Sequence, residues 1–251
     1  MNIAIVGYGK MGMMIHELAL SHGHTVSSIV DVASSCANVT SRSIESVKGC
    51  DVVIDFSSPS SCISNIEAYM AMGVKAVIGT TGWYDKIDYV KKLVTGNNCL
   101  MYSGNFSVGV AVFLKIAERA ASLIDALDEY DIAISETHHR GKADSPSGTA
   151  IMIAQKIMSN VERKKKVVLG NPEGKIKIDE LQISSLRLGS VCGIHSVEID
   201  STCDSITLTH TARSREGFAL GAIKAAEWLM NKQGGLYSMD DFINELLKEK
   251  I

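Results

Sequence analysis

The sequence lacks the features that define several large classes of protein. Its six cysteines include no C-x-x-C pair, so neither a zinc site nor a disulfide framework is indicated. No apolar run approaches the roughly 20 residues of a membrane-spanning helix, and the N-terminus does not resemble a signal peptide. The net charge of −3 gives no general attraction to nucleic acid or to an anionic membrane. We therefore expect a cytoplasmic protein with reduced thiols that binds neither nucleic acid nor membranes.

Proline is also scarce, with three in 251 residues, whereas apolar residues make up 46%. That composition can fill one large core or two ordinary ones. Segments 3–6, 25–30, 51–56, 75–80 and 99–103 have the pattern of buried strands, and helical patterns separate most of them. This alternation predicts an α/β domain of the Rossmann type, with a doubly wound parallel sheet.

The pattern changes after Asn105. A long helical stretch (107–126) leads into the strand "EYDIAISETHH", and a second helix is predicted near 147–160. The later runs "QISSLRL", "GIHSVEID" and "SITLTHTA" alternate polar and apolar residues, as half-buried antiparallel strands do. The charged run "RKKK" (163–166) is predicted to be a solvated loop or helix end.

These patterns predict three segments. The first is a dinucleotide-binding domain at 1–106, and the second is an α+β substrate-binding domain at 107–214. The third, 215–251, consists of helices that return to the dinucleotide-binding domain.

The stretch "GYGKMG" places Gly7, Gly9 and Gly12 in a G-x-G-x-x-G pattern between a strand and a helix. In that context the first glycine permits a tight turn, the second lets the backbone approach a pyrophosphate, and the third lets helix and strand pack closely. The helix N-terminus adds a favourable potential for phosphate. The pattern therefore predicts a dinucleotide site, although a glycine-rich structural turn has the same sequence.

Asp31 ends the second predicted strand, where an acid hydrogen-bonds the hydroxyls of the adenosine ribose. A carboxylate there also repels a 2′-phosphate, so NADH is favoured over NADPH. Arg42 or the nearby serines offer an alternative that would accept the phosphate. Use of both cofactors therefore stays open.

Small polar residues follow three consecutive strands, in "DFSSP" (55–59), "GTTG" (79–82) and "SGNFS" (103–107). Ligands of open α/β sheets bind outside the carboxyl ends of the strands. Each segment alone has the composition of an ordinary turn. Because all three come at strand ends, we expect a shared ligand there.

The segment "ETHHRGKADSPSGTA" (136–150) combines two histidines, a lysine and the start of a helix. Adjacent strand residues point to opposite faces, so His138 and His139 are poor partners for one metal ion, and no metal site is predicted. Histidine transfers protons near neutral pH or holds a carboxylate, and lysine supplies a proton when its pKa falls on burial. The backbone at Gly148 and Thr149 opens a helix and suits an anion. The combination favours a small dianionic substrate beside a hydride donor, and a capped helix after two surface histidines is the structural alternative.

The same segment closely resembles the signature of bacterial 4-hydroxy-tetrahydrodipicolinate reductases (dihydrodipicolinate reductases) of the diaminopimelate route to lysine. Further resemblance lies in "IAIVGYGKMG", "VVIDFSSP", "VIGTTG", "SGNFSVGV", "RLGSVCGIHSV" and "HTARSREGFALGA", which occur in the family's order. The resemblance implies reduction of a small cyclic dicarboxylate with NADH or NADPH. It also implies a homotetramer assembled through the second domain. Val32 stands where many members have a basic residue after the ribose acid.

By their positions in the matching motifs, His138 resembles the family's acid/base histidine and Lys142 its proton donor. The substrate-carboxylate binders are implied to be His139, Gly148 and Thr149. The implied cofactor contacts are Gly7, Tyr8, Gly9, Lys10, Met11, Gly12, Asp31, Gly79, Thr80, Thr81, Ser103, Gly104, Asn105 and Phe106. In this interpretation hydride reaches ring carbon C4 and Lys142 protonates C3, while His138 orients the substrate.

Two other functions fit the same residues. One is another two-domain NAD(P)-dependent dehydrogenase of a small oxo or imino acid. The other is a non-catalytic NADH-sensing protein, which would need no lysine beside its pocket. An aspartate-semialdehyde-type dehydrogenase is disfavoured because no cysteine lies in a convincing catalytic context.

Overall fold

The computed structural model of the chain describes residues 1–32, 34–36, 38–41 and 43–248. Arg42, the alternative phosphate ligand, lies outside the described residues, as does the end of the predicted 215–251 segment. The chain divides into two compact units. The first comprises Met1–Val108 and the segment from Glu216 onward, and the second comprises Gly109–Arg215. None of the helices among the described residues is both long enough and apolar enough to cross a bilayer.

Six strands of the described chain form a fully parallel sheet in the first unit. In chain order they are β1 (Asn2–Val6), β2 (Thr25–Val30), β3 (Val52–Asp55), β4 (Lys75–Ile78), β5 (Cys99–Tyr102) and β11 (Gly235–Ser238). The helices of this unit are α1 (Lys10–Ser21), α2 (Pro59–Met72), α3 (Ile87–Leu93), α6 (Glu216–Met230) and α7 (Met239–Lys248). The spatial order β11-β5-β4-β3-β1-β2 places β1 and β3 side by side at the centre.

Both faces of this sheet are covered, which explains why its strands are continuous apolar runs rather than alternating ones. Alternate residues such as Ala4, Val53 and Ala76 pack with α2 and its neighbours in one cluster. The intervening residues, including Ile5 and Ile54, are equally buried. Helices α1 and α6 pack against each other, and α6 also contacts β3, β4 and β5.

The C-terminal segment completes the first unit. Lys75 at the start of β4 donates from Nζ to the carbonyls of Leu229, Met230 and Lys232, at 3.0, 2.8 and 2.7 Å. These are carbonyls at and just after the end of α6, where a cation is favourable. Strand β11 then pairs in parallel with β5. The sequence analysis missed β11 because "GLYS" is short and has no distinct apolar pattern.

In the second unit, five strands of the described residues form a mixed sheet in the order β10-β9-β6-β8-β7. They are β6 (Asp131–His138), β7 (Lys166–Leu169), β8 (Glu180–Arg187), β9 (Ile194–Asp200) and β10 (Ser205–Thr211). Helices α4 (Val108–Ile124) and α5 (Gly148–Met158) supply the rest of its core.

One face of this sheet is apolar and packs on α4 and α5. Ile132 and Ile134 of β6 are buried there together with residues of β8, β9 and both helices. The alternation continues along β6, so the next two residues on the same face are Glu136 and His138, which are also buried. The carboxylate of Glu136 and the imidazole of His138 therefore lie at one end of an apolar core.

Two expectations are wrong in detail. The run that forms β8 was predicted to be antiparallel, but β8 pairs in parallel with β6 and β7, and only β9 and β10 add antiparallel pairs. Alternation reports which face is buried and carries no information about strand direction. Within "RKKK", the side chain of Lys164 is fully buried rather than solvated, with Nζ 2.6 Å from Asp131 and 2.7 Å from the carbonyl of Glu180. A buried ammonium is tolerated there because it is paired and hydrogen-bonded.

Candidate active site

The glycine loop has the close contacts that the sequence pattern requires. Gly7 has a φ of +87°, and a Cβ at this position would lie 2.3 Å from the carbonyl oxygen of Phe56. A Cβ at Gly12 would lie 2.0 Å from the carbonyl oxygen of Gly7. At Gly9, by contrast, a Cβ would meet nothing within 4 Å. The chain itself therefore needs glycine at 7 and 12, whereas at Gly9 the structure leaves open space of the kind that a close ligand requires.

Asp31 ties the end of β2 to this loop. Its Oδ2 accepts the Tyr8 N–H at 2.7 Å, and its Oδ1 accepts the Ser34 N–H at 2.7 Å. An acid at the end of this strand is the group that hydrogen-bonds the ribose hydroxyls in dinucleotide-binding sheets. The position is therefore suited to a ribose.

Two cavities run along the carboxyl ends of the strands in the first unit, and they share Gly9, Phe56 and Ser57. One, of about 440 Å³, extends past Gly7 and Asp31. The other, of about 430 Å³, extends past Lys10 and Met11 to the residues that follow β4 (Gly79, Thr80 and Thr81). Their extent from the ribose acid to the ends of β3 and β4 fits a dinucleotide.

Asp55 ends β3, and its fully buried side chain holds the neighbouring loops together. Its oxygens accept from Tyr69 Oη at 2.7 Å, Asn65 Nδ2 at 3.0 Å, Thr80 Oγ1 at 3.1 Å and the Ser57 N–H at 2.9 Å. A buried carboxylate needs such bonds to offset its loss of water. Here they fix the loops after β3 and β4 to each other.

The loop after β5 is closed by its own side chains. Ser103 Oγ donates to the Asn105 carbonyl at 2.7 Å and accepts the Asn105 N–H at 3.0 Å. A Cβ at Gly104 would lie 3.6 Å from Thr81 Cγ2, so this loop adjoins the one after β4. The side chains of Tyr8 and Phe106, two of the predicted cofactor contacts, are buried.

In the second unit, the site is built at the carboxyl end of β6. His195 of β9 lies directly across from Glu136, and Arg187 of β8 lies directly across from His138. The oxygen and nitrogen atoms of Glu136, His138 and His195 lie within 4.8 Å of one another, and all three residues are buried. Strand register thus brings Glu136 and His138, which share one motif, together with His195 from another.

Arg187, Glu136 and His138 form a continuous hydrogen-bonded chain. Glu136 Oε2 makes a very short contact with His138 Nδ1. Its other oxygen, Oε1, accepts from Arg187 Nη2 at 2.8 Å. The same Nη2 donates to the carbonyl of Asp144 at 2.7 Å, so the guanidinium also holds the loop that carries Lys142.

These contacts set the charges of the cluster. Burial opposes ionisation of Glu136, but hydrogen bonds from Arg187, Ser185 and His138 outweigh it, and the pKa of Glu136 lies below its ordinary value. Burial lowers the pKa of His138; Glu136 counteracts this, and the charges of Lys142 and Arg187 reinforce it. An ionised Glu136 beside a neutral His138 is therefore the favoured state near pH 7.

Lys142 lies in the loop after β6. Its ammonium pairs with the exposed carboxylate of Asp144 at 2.8 Å, and the side chain retains 22% exposure. The cation is close enough to His138 to lower the pKa of that histidine. A carboxylate ligand could replace Asp144 without removing any buried contact, because Asp144 is the exposed member of the pair.

Helix α5 begins beside this cluster. Ser147 caps it by accepting the Ala150 N–H at 3.2 Å, and Ser147 Oγ also lies 3.0 Å from His195 Nε2. The predicted carboxylate binders Gly148 and Thr149 form the first turn of this helix. His139 follows β6 and is half-buried; a Cβ at Gly141 would lie 3.5 Å from its Nδ1.

Sequence reasoning did not identify Glu136, Arg187 and His195. For Glu136 a signal existed, because it stands two residues before His138 and therefore shares its face of β6. Arg187 and His195 both lie in "RLGSVCGIHSV", a segment that resembles the family. Nothing in that segment shows that they approach His138, since their approach depends on how β8 and β9 pair with β6. Phe56 and Ser57, which line both cavities, belong to a strand end that the sequence analysis left open as a turn.

Sequence comparison shows relatives along nearly the whole chain. Residues 1–106 match the family described as dihydrodipicolinate reductase, N-terminus, and residues 109–243 match dihydrodipicolinate reductase, C-terminus. A 4-hydroxy-tetrahydrodipicolinate reductase of Christiangramia forsetii is 38% identical over 99% of this chain and 100% of that protein. One from Natronomonas pharaonis is 34% identical over 97% of this chain and 100% of that protein.

The fold also has a solved counterpart. A dipicolinate-bound dihydrodipicolinate reductase from Paenisporosarcina sp. TG-14 superposes with a TM-score of 0.78 at 23% identity, over 96% of this chain and 98% of that one. A parallel sheet with a dinucleotide-sized cavity, followed by a unit with buried proton-handling groups, is the architecture of a two-domain NAD(P)H-dependent oxidoreductase. Within that class, this chain belongs to the dihydrodipicolinate reductase family.

The predicted family, the α/β fold class and the predicted NAD(P)H-dependent reductase function are thereby confirmed. The cofactor preference, the individual site residues and the three segment boundaries stay predictions. So do the homotetramer and the cytoplasmic location.

Proposed function

We propose that this chain reduces 4-hydroxy-tetrahydrodipicolinate to tetrahydrodipicolinate in the diaminopimelate route to lysine, with Lys142 as proton donor. Loss of water takes the 4-hydroxyl and one hydrogen of C3, and leaves a C3=C4 double bond conjugated with the imine. When bound, NAD(P)H would supply a hydride to C4 of this double bond, and C3 would gain a proton. The reduction therefore requires one proton source, and a lysine ammonium in a partly buried loop suits that role.

The first unit holds the cofactor in this proposal. Glycines 7 and 12 let the loop approach the start of α1, where N–H groups and the helix dipole favour a pyrophosphate. Asp31 accepts hydrogen bonds from ribose hydroxyls. The loops after β4 and β5 (79–81 and 103–106) receive the nicotinamide end.

The second unit holds the substrate. A small cyclic dicarboxylate carries two negative charges, and the start of α5 at Gly148 and Thr149 suits one carboxylate, together with His139. Lys142 exchanges its Asp144 partner for the substrate and protonates C3. His138 orients the ring and steadies the charge that develops as hydride is added; a bound dianion raises the pKa of this histidine and favours its protonated form.

NADH is the preferred cofactor in this proposal. At about 4 Å, two unit charges repel by roughly 1 kcal/mol in water and roughly 4 kcal/mol at an intermediate dielectric. Asp31 would therefore disfavour a 2′-phosphate by a few-fold to nearly a thousandfold. Val32, which is exposed, provides no cation to offset this repulsion.

The observation that carries the proposal is the grouping of Lys142, the Glu136–His138 pair and the start of α5 within one unit. The test is a steady-state assay with enzymatically generated dihydrodipicolinate, with NADH and NADPH run in parallel and small oxo and imino acids as competing substrates. We expect substrate-dependent loss of absorbance at 340 nm, larger kcat/KM with NADH, and little turnover of the competitors. Cofactor binding without any turnover would instead support a sensing protein.

A further inference from the structure

The geometry points to Glu136 as the residue that positions His138, with Arg187 linking this pair to the loop of the proton donor. The inference rests on the proposed function and adds two residues to its site. Neither Glu136 nor Arg187 is given substrate contact in the proposed reaction. Both act through the residues that they hold.

Glu136 fixes the tautomer of His138. An ionised carboxylate only accepts hydrogen bonds, so the contact between Glu136 Oε2 and Nδ1 places the imidazole hydrogen on Nδ1. The other nitrogen, Nε2, is then the one presented to a ligand. Without the carboxylate, either tautomer would be accessible and the ring could turn.

Packing also restricts the ring. The rings of His138 and His195 meet edge to face, with centroids 5.1 Å apart. A Cβ at Gly193 would lie 3.0 Å from His138 Nε2, so glycine at this position keeps the space beside Nε2 open. The imidazole is thus held by Glu136 and packed against His195, and Nε2 stays accessible.

Arg187 contacts both the positioning carboxylate and the loop of the proton donor. It neutralises Glu136 through Oε1, which makes a buried carboxylate tolerable, and it donates to the Asp144 carbonyl from the same nitrogen. The carboxylate that holds the acid/base histidine is therefore connected to the loop of Lys142 through one guanidinium. Histidine and lysine are then held in a common frame before substrate arrives.

A metal centre made of Glu136, His138 and His195 explains the same residues less well. Glu136 and His138 contact each other directly instead of pointing at a common third position. The Arg187 guanidinium on the other carboxylate oxygen would repel a divalent cation. A hydrogen-bonded chain uses every one of these contacts.

The variants Glu136→Gln and Arg187→Gln test this inference by the direction of a pH shift. His138 faces four titratable or charged groups: Glu136 on its own strand, Arg187 on β8, His195 on β9 and Lys142 in the loop. Removal of the Glu136 charge should move the His138 limb of the kcat/KM profile to lower pH, because the carboxylate stabilises the imidazolium. Removal of the Arg187 charge should move it to higher pH. A purely structural role does not predict shifts of opposite sign.

In Glu136→Gln, kcat should fall by about 10- to 100-fold, the loss seen when a metal-bound histidine loses the carboxylate that orients it, with an unchanged Kd for NADH. Glu118→Gln is the matched control, because Glu118 also bridges two cations, Lys115 and Lys156, at 3.5 and 3.4 Å. It should leave kcat and the profile unchanged. Shifts of the same sign, or none, in the two variants would overturn the inference.

A measurement on the wild-type protein covers the case in which a variant does not fold. Nitrogen-15 NMR of the histidines should find the His138 hydrogen on Nδ1 near pH 7. A hydrogen on Nε2 would refute the positioning role. If the wild-type enzyme does not reduce dihydrodipicolinate, the proposed function fails; if it does, but the NMR and pH tests fail, only the role of Glu136 and Arg187 is lost.

Discussion

The two units build their sites in different ways. In the first, the site consists largely of backbone, and it depends on glycines that have no side chain. Gly7 and Gly12 lie where a Cβ would be 2.0–2.3 Å from a carbonyl oxygen. In the second, the site consists of titratable and charged side chains, buried or partly buried, that hold one another. A cofactor of extended shape is recognised by close backbone approach, whereas proton transfer requires particular groups with particular pKa values. We therefore expect substitutions in the first unit to change cofactor binding, and substitutions in the second to change substrate binding or the chemical step.

The largest expected effect is in the second unit. Lys142→Ala should lower kcat by about 10²–10⁴, the typical contribution of general acid catalysis, while the Kd for NADH is unchanged. The kinetic constants and a fluorescence titration with NADH measure both. Lys156→Ala is the control, since Lys156 is also paired with a carboxylate and has a similar exposure of 26%. Near-normal turnover of Lys142→Ala would remove the proton donor from the proposal.

The next effect concerns the stability of the second unit. Burial lowers the pKa of His195 from 6.5 to about 4, so above pH 6.5 the histidine is neutral in both folded and unfolded chains. As pH falls from 6.5 towards 4, the unfolded chain takes up a proton that the folded chain refuses, and up to about 3 kcal/mol of stability is lost. His195→Gln should weaken this acid sensitivity.

Urea unfolding at pH 7 and pH 5 measures the difference. The exposed His22 provides a control, and His22→Gln should keep the wild-type dependence on pH. An identical loss of stability between pH 7 and 5 in wild type and His195→Gln would contradict the assignment.

The smallest expected effect comes from substituting one glycine in each unit, Gly9 in the first and Gly148 in the second. Neither Gly9 nor Gly148 has an atom within 4 Å of a Cβ placed on it, so alanine at either position should leave the folded protein stable. Gly9→Ala should weaken NADH binding by about 1–3 kcal/mol, the usual cost of overpacking, and leave the substrate KM unchanged. Gly148→Ala should raise the substrate KM and leave NADH binding unchanged. If both variants affect the same ligand, the division of labour between the units is wrong.

Much of this protein was determined by its sequence. The continuous apolar strands, the G-x-G-x-x-G loop and the terminal Asp31 predicted the first unit, because local turns and strand–helix packing place severe limits on residue type. In the second unit, the motif from Glu136 to Ala150 identified the histidines, the lysine and the helix start.

Only the tertiary structure decided the surroundings of those groups. Lys164, which lies in a run of charged residues, is buried and paired with Asp131. Strand β8 is parallel to its neighbours, and alternation of polar and apolar residues does not reveal strand direction. Arg187 and His195 reached the site through strand register, which depends on the packing of the whole sheet. Arg187 and His195 are 49 and 57 positions after His138 in the sequence. They lie beside it because strands that are far apart in the sequence can pair in one sheet.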